Sequence, residues 1–326
     1  MNSNQHSTDI SFSGWRWLDP VFVLRPTLFF PCWTLYLAGI RLSGNQGVGF
    51  RWRIVFAMVV SGAALGVVYL INQLRDVSTD RINRKLPYFS RNIFPVRTAW
   101  WEVVFLLVLS LVGAAFLSWV FLAIVIGGLI VTGVLYNYSP FQWKDKPIGS
   151  VMAAFLGGGL AFLGGSEIGG GLGWVSVKQA IPYLFAFTAT SLWTAIPDME
   201  GDKAVGKCTF PIRYGLNTTL WVGCLSVSAA IVLGLLQKDW VIGSASLLSL
   251  VFFLWALVRR QLASVTLAIK VSIIILSLLV GWYFPWYLVV IVLYFLIARW
   301  YHRQRFKMVY PNLAYNAEDV NGQGNS

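Results

Sequence analysis

The chain has 326 residues, of which 57% are hydrophobic and only 12% are charged, and its formal net charge is +12. Together with a mean hydropathy of +0.67, this composition excludes a soluble globular domain. The three cysteines have neither a disulfide nor a zinc-site spacing, and both histidines lie outside the apolar segments. The sequence therefore predicts no disulfide framework and no histidine-based haem or copper centre.

Apolar stretches that are long enough to cross a bilayer, which takes roughly 20 residues, recur along nearly the whole chain. Their continuity favours helices, because transmembrane β-strands alternate in polarity and are about half as long. Ten candidates are residues 24–41, 53–74, 99–118, 119–138, 147–166, 180–197, 218–237, 239–258, 264–283 and 285–301. We therefore predict an all-α protein, a polytopic membrane bundle.

The acidic residues are few and clustered: five of the 13 stand in two short boxes, each directly after an apolar run. The boxes read Asn72-Gln-Leu-Arg-Asp76-Val-Ser-Thr-Asp80 and Asp198-Met-Glu200-Gly-Asp202-Lys203. The spacing of i, i+4 and i+8 in the first box, and of i and i+4 between the aspartates of the second, predicts one helix face for each. Two such faces meeting would offer only oxygen ligands, which suit Mg²⁺ better than zinc or copper.

Cationic side chains stand beside both boxes, namely Arg81, Arg84, Lys85, Lys203, Lys207 and Arg213. Carboxylates, a magnesium ion and surrounding cations together describe a diphosphate site, because Mg²⁺ commonly shares its ligand shell with substrate phosphates. An ordinary solvated loop is the simpler interpretation of either box alone. Two boxes of the same spacing, on the same predicted side of the membrane, disfavour that interpretation.

The loops that carry the boxes are also the basic ones, and the positive-inside bias places them, with both termini, in the cytoplasm. A basic protein surface that faces anionic lipid headgroups explains the positive net charge, so a nucleic-acid partner is not needed. We expect a polar segment at residues 1–20, one membrane domain at residues 21–303, and a basic, then polar, disordered tail at residues 304–326. The N-terminus resembles neither a cleaved signal peptide nor a transit sequence, which favours a prokaryotic plasma membrane.

Glycines are concentrated around the fifth apolar segment, at residues 157–159, 164–165 and 169–171. Close helix packing through small residues, followed by a flexible outer loop, is one interpretation. The other is a wall kept free of side chains to admit a long apolar ligand. A further motif, from Tyr136 to Lys144, closes the fourth segment and is placed by its proline at a helix end.

These motifs together resemble the UbiA-type intramembrane prenyltransferases. The resemblance covers roughly residues 20–300 and rests on both acidic boxes and on a Tyr-Ser-Pro stretch followed by lysine between them. The residues that match the family's motifs are Arg25-Pro26, Asn72, Asp76, Asp80, Tyr138-Ser139-Pro140, Lys144, Asp198, Glu200-Gly201-Asp202-Lys203, Gly206, Thr209, Pro211 and Gly215. The family has nine helices where we count ten segments, so we expect nine or ten, with motif-bearing cytoplasmic loops after helices 2, 4 and 6.

The resemblance implies a Mg²⁺-dependent transfer of a polyprenyl group from its diphosphate to a small or lipidic acceptor. The metal ligands would be Asn72, Asp76, Asp80, Asp198 and Asp202, and the substrate-binding residues Arg25, Arg81, Arg84, Lys85, Ser139, Lys144, Lys203 and Lys207. The four aspartates would act in catalysis, and either Tyr138 or Asp80 would help to remove the acceptor's proton. Aromatic faces of Tyr136, Phe185, Phe187 and Trp193 are candidates to shield the allylic cation.

The chain departs from the family where Gln73 replaces an aspartate, so we expect Asp76 and Asp80 to carry more of the metal binding. The family's arginine-rich run is reduced to Arg84-Lys85-Leu86-Pro87, which weakens a haem-type acceptor. An aromatic ring of quinone biosynthesis is the first choice, and a prenylated glycerol phosphate or a carotenoid end is the second. An ion-coupled transporter is disfavoured, because only Lys270 lies deep in a predicted span. The sequence indicates no obligate protein partner.

Overall fold

The computed structural model of the chain describes residues 15–44, 51–83 and 85–312. The predictions for residues 1–14, Arg84 and residues 313–326 therefore lie outside the described residues. The α-helices are α1 Asp19–Val23, α2 Phe29–Leu42, α3 Trp52–Arg75, α4 Val77–Ile82, α5 Val96–Leu117, α6 Trp119–Gly128, α7 Pro147–Ile168, α8 Trp174–Thr194, α9 Met199–Ala204, α10 Phe210–Leu236, α11 Trp240–Arg259, α12 Leu262–Gly281 and α13 Pro285–Phe306. A π-helical stretch, Leu129–Leu135, continues α6. The described residues contain no β-strand.

The predicted fold class, an all-α polytopic bundle, is confirmed. Eight helices in the described ranges are long and apolar enough to cross a membrane, with Arg16–Leu42 taken as one span, and Trp119–Leu135 is a shorter apolar helix. Helix α8 has 21 residues, but its second half carries four hydroxyl side chains, which lower its hydropathy. Each of the ten predicted segments thus overlaps a helix, and the two least typical of these helices are α6 and α8.

Small residues let α2 and α7 pack backbone to backbone. A Cβ added at Gly165 would lie 1.8 Å from the carbonyl oxygen of Tyr36, and one added at Gly39 would lie 2.1 Å from that of Phe162. No side chain larger than hydrogen fits at either glycine, so close helix packing explains this part of the glycine pattern.

Buried ion pairs connect helices at both ends of the bundle. At one end, Asp239 accepts hydrogen bonds from Arg41 and from Tyr183, whose hydroxyl lies 2.7 Å from Oδ2. At the other end, Arg305 of α13 makes two 3.1 Å contacts with Asp19. Helix α13 therefore continues to Phe306, past the expected start of the tail at residue 304. Removing one partner of such a buried pair typically costs about 3–5 kcal/mol.

The two short helices α4 and α9 lie against each other at the end of the bundle where α3 finishes. Their contact is tight at Gly201, where an added Cβ would stand 2.0 Å from Oδ1 of Asn83. Because α4 belongs to the first acidic box and α9 to the second, this packing brings the two boxes to one place.

Candidate active site

The first box contains a break between two helices. Helix α3 ends at Arg75, and Asp76, with φ −106° and ψ 18°, separates it from α4. Asn72 and Asp76 consequently face one cavity, together with Asp198 and Asp202 of the second box. Asp80 does not line that cavity, and the expected single face of the first box is wrong at this residue. It is buried instead between Arg25 and Lys85, with Oδ2 3.5 Å from Nη2 of Arg25 and Oδ1 3.5 Å from Nζ of Lys85.

The cavity has a volume of about 370 Å³, within the range of small-molecule sites. Its polar end, lined by both boxes, also holds the ammonium groups of Lys85, Lys144 and Lys207. The rest of the cavity is an apolar arm. This arm runs between α2, α3, α6 with its π-helical continuation, α7 and α8. A site of this shape suits a ligand with an anionic head and a long hydrocarbon tail.

Lysines neutralise the carboxylates at the polar end. Lys144 donates to Oδ1 of Asp76 at 2.7 Å, and Lys207 approaches the same oxygen at 3.2 Å. Lys207 also lies 3.5 Å from Asp202, and Lys85 lies 2.9 Å from Asp198. Each box is therefore joined to cations that a phosphate group in the cavity would also contact.

The ionisation of this cluster follows from burial and from the pairs. Burial raises the pKa of Asp202, with Lys207 opposing that effect. Burial also disfavours the protonated form of Lys207, but the carboxylates of Asp76 and Asp202 outweigh it and raise the pKa of that lysine. The pKa of Lys85 is raised in the same way, since Asp198 and Asp80 outweigh its burial. Lys85 and Lys207 thus stay charged, as binding of an anionic head requires.

The donor set fits Mg²⁺ only if the ion is shared with a substrate. Within the described ranges, no three His, Cys, Asp or Glu side chains stand close enough to hold a metal between them. Oδ1 of Asn72, however, is buried beside the cavity and accepts no hydrogen bond. Mg²⁺ is usually held by one or two carboxylates together with substrate phosphates and waters. Asn72 and Asp76 on one side, and Asp198 and Asp202 on the other, satisfy that requirement.

Several predicted site residues lie away from the cavity. The ring of Tyr138 lies under the guanidinium of Arg75, with 5.0 Å between centroid and Cζ, and Ser139 is exposed. Arg81 donates to the carbonyl of Ser90 at 3.0 Å, and Lys203 is exposed on α9.

Gln73 also turns away from the cavity, and its amide donates to the carbonyl of Val23 at 2.8 Å. It is 2% exposed, so it helps to fix α3 to α1. The glutamine that stands here in place of the family's aspartate therefore removes no oxygen from the cavity wall.

Of the candidate aromatic shields, Tyr136 and Phe187 line the cavity. Trp193 is fully buried instead, stacks on Phe253 and donates to the carbonyl of Thr219. Phe185 packs edge-on against Phe155. The π-helical stretch next to Tyr136 is of a kind often found at functional sites, and the carbonyls of Thr132 and Gly133 in it accept hydrogen bonds from the buried side-chain amide of Asn137.

Two polar residues near the cavity were not assigned from the sequence. Thr209 precedes α10, is 4% exposed and lines the cavity, and its hydroxyl has no hydrogen-bond partner. Asp145 lies 3.9 Å from Lys207 and accepts from Gln142 at 2.8 Å. Thr209 belongs to the quoted family motif and so had a sequence signal. Asp145 stands outside both acidic boxes and had none.

The model of the UbiA prenyltransferase family matches residues 29–264. The chain is 27% identical over 233 residues to the chloroplastic 2-acyl-4-prenylphloroglucinol 6-prenyltransferase of Humulus lupulus, with 66% of this chain and 55% of that protein covered. It is also 27% identical over 202 residues to digeranylgeranylglyceryl phosphate synthase of Methanospirillum hungatei, with coverages of 61% and 69%. The chain thus spans about half the length of the hop relative.

The fold is shared with solved structures. A UbiA homologue from Archaeoglobus fulgidus bound to GPP and Mg²⁺ superposes with a TM-score of 0.67 at 23% identity, over 82% of this chain and 98% of that one. A structure of the same homologue bound to Cd²⁺ gives a TM-score of 0.65 at 22% identity, over 83% and 98%.

Proposed function

Because the chain belongs to the UbiA prenyltransferase family, we propose that it transfers the prenyl group of a prenyl diphosphate to an acceptor, with Mg²⁺ as cofactor. The observation that carries this proposal is the cavity in which both acidic boxes and three lysines meet an apolar arm. Its polar end matches a diphosphate and its arm matches a polyprenyl tail. Binding of GPP and Mg²⁺ by the Archaeoglobus fulgidus homologue supports the same reading.

In this mechanism the chain's own groups hold the diphosphate and protect the reacting carbon. When bound, Mg²⁺ supplies positive charge that favours departure of the diphosphate. Lys85, Lys144 and Lys207 add fixed positive charge at the same end, where negative charge develops as the allylic C–O bond breaks. The buried hydroxyl of Thr209 is a further donor for a phosphate oxygen. The apolar arm excludes water, so that the allylic carbon reacts with the acceptor instead of being hydrolysed.

For the acceptor we propose an aromatic ring, of the kind used in quinone biosynthesis. The hop relative supports an aromatic acceptor, since it has the longest alignment of the relatives described above. A prenylated glycerol phosphate is the second candidate and is supported by the archaeal synthase. The basic loops support a site that faces the cytoplasm.

The test is a transfer assay on the purified full chain in lipid nanodiscs, with Mg²⁺, radiolabelled geranylgeranyl diphosphate and a panel of acceptors. The panel contains hydroxybenzoate, dihydroxynaphthoate, homogentisate and geranylgeranylglyceryl phosphate. We expect a labelled product and stoichiometric diphosphate release with one acceptor class, and loss of both when EDTA removes the metal. Absence of diphosphate release with every acceptor would contradict the proposal, and product from the glyceryl phosphate alone would replace the aromatic acceptor by the lipid one.

A further inference from the structure

We infer that Tyr36 and Phe121 close the far end of the apolar arm and limit the donor to about four isoprene units. This inference rests on the proposed function, because it concerns the tail of the prenyl diphosphate. It goes further in naming the side chains that select one class of donor, geranylgeranyl or shorter, over longer polyprenyl diphosphates.

The depth of the arm can be measured along two helices. On α3 the deepest lining residue is Ser61, 11 residues before Asn72, which at 1.5 Å per residue is about 16 Å. On α7 the lining runs from Ser150 to Gly164, 14 residues, or about 21 Å. The two helices run in opposite directions between the same ends of the bundle and give similar depths.

The far end is closed by two rings and by the α2–α7 contact. Tyr36 is 2% exposed and Phe121 is 1% exposed, and their rings meet edge to face with centroids 6.4 Å apart. A Cβ added at Gly164 would contact the Phe121 ring at 3.3 Å, and one at Gly165 would overlap the carbonyl of Tyr36. The lining of the cavity therefore ends at this level on α2, α6 and α7, and both rings belong to the buried hydrophobic core.

The depth converts directly into chain length. Each isoprene unit adds four carbon–carbon bonds of about 1.5 Å to the main chain, or about 5 Å along an extended zigzag. An arm of about 16–21 Å therefore holds three to four units once the diphosphate occupies the polar end. A fifth unit would have to overlap Phe121.

The wall above the two rings is made of small side chains, which keeps the arm open along its length. Ala64 on α3 and Gly157 and Gly158 on α7 line it. Ala64 lies eight residues before Asn72, about 12 Å down the arm, so a bulky side chain there would leave room for two units. The second interpretation of the glycine pattern, a wall without side chains, thus applies to Gly157 and Gly158.

The experiment compares geranyl, farnesyl, geranylgeranyl and geranylfarnesyl diphosphates with wild type, Phe121→Ala and Ala64→Phe in nanodiscs. We expect wild-type kcat/KM to fall roughly tenfold or more from geranylgeranyl to geranylfarnesyl diphosphate, as for an overfilled apolar pocket. Phe121→Ala should remove that drop. Ala64→Phe should lower the value for geranylgeranyl diphosphate by a similar factor and that for geranyl diphosphate by clearly less. Phe116→Ala, the same change at a side chain that is 83% exposed on α5, is the matched control.

Competition binding of the same four diphosphates with Mg²⁺ is measured in parallel, so that the inference is decided even without turnover. If no variant transfers any chain, the proposed function fails, and the order of affinities alone still confirms or overturns the length limit. If wild type binds and uses geranylfarnesyl as well as geranylgeranyl diphosphate, or if neither variant shifts the preference, the limit is overturned. Should Phe121→Ala not fold, Ala64→Phe decides in the same way.

Discussion

Asp76→Asn is expected to lower the rate of prenyl transfer by at least roughly a hundredfold, the usual cost of one electrostatic group that stabilises a transition state. Asp76 lines the polar end of the cavity, as Asp198 does. Its replacement removes one of the carboxylates that would hold Mg²⁺ against the diphosphate. The measurement is diphosphate release by the nanodisc-embedded enzyme under saturating Mg²⁺.

The same change is expected to destabilise the protein by about 3 kcal/mol, since it leaves buried ammonium groups without their carboxylate. Asp76 is 9% exposed and Lys144 is 6% exposed. The double variant Asp76→Asn, Lys144→Met removes both charges and should recover most of the thermal stability while remaining inactive. Recovery of activity together with stability would contradict a catalytic role for Asp76, because the loss would then come from misfolding alone.

Asp198→Asn is expected to lower the transfer rate by at least roughly a hundredfold as well, but to leave stability within about 0.5 kcal/mol of wild type. The difference arises because the Asp198 side chain is 28% exposed and that of its partner Lys85 is 33% exposed, so that water screens the pair. The measurement is the transfer rate beside the thermal unfolding midpoint in the same detergent.

Glu200→Gln is the matched control for this change. Glu200 belongs to the same box as Asp198, but it is exposed and does not line the cavity. Its substitution should leave both the rate and the midpoint close to wild type. Equal losses from Asp198→Asn and Glu200→Gln would mean that the box acts through its overall charge and not through a carboxylate in the cavity.

The helical architecture followed from the sequence because hydropathy over a whole span is a strong and local signal. All ten apolar segments overlap helices, and the two boxes lie where α3 and α8 end. The convergence of the boxes was also predictable, since alternate loops of an antiparallel helical bundle lie at the same end. The resemblance to a family added Lys144, which does reach Asp76.

The orientation of single side chains did not follow from spacing. A period of four residues predicted one face for Asn72, Asp76 and Asp80, but the helix breaks at Asp76 and turns Asp80 toward Arg25. Tyr138 stands in the quoted motif, yet its neighbour two residues earlier, Tyr136, lines the cavity. The direction in which such a side chain points depends on where its helix breaks and on what packs beside it, and a single sequence does not specify either.

The central claim is that both boxes bind one metal–diphosphate unit, and the most direct test is a binding measurement without turnover. Affinity for an unreactive thio analogue of geranylgeranyl diphosphate is measured with and without Mg²⁺ in wild type, Asp76→Asn and Asp198→Asn. We expect Mg²⁺ to tighten binding in wild type and each single substitution to remove most of that gain. Binding that Mg²⁺ does not affect, or a gain that survives both substitutions, would contradict the shared site.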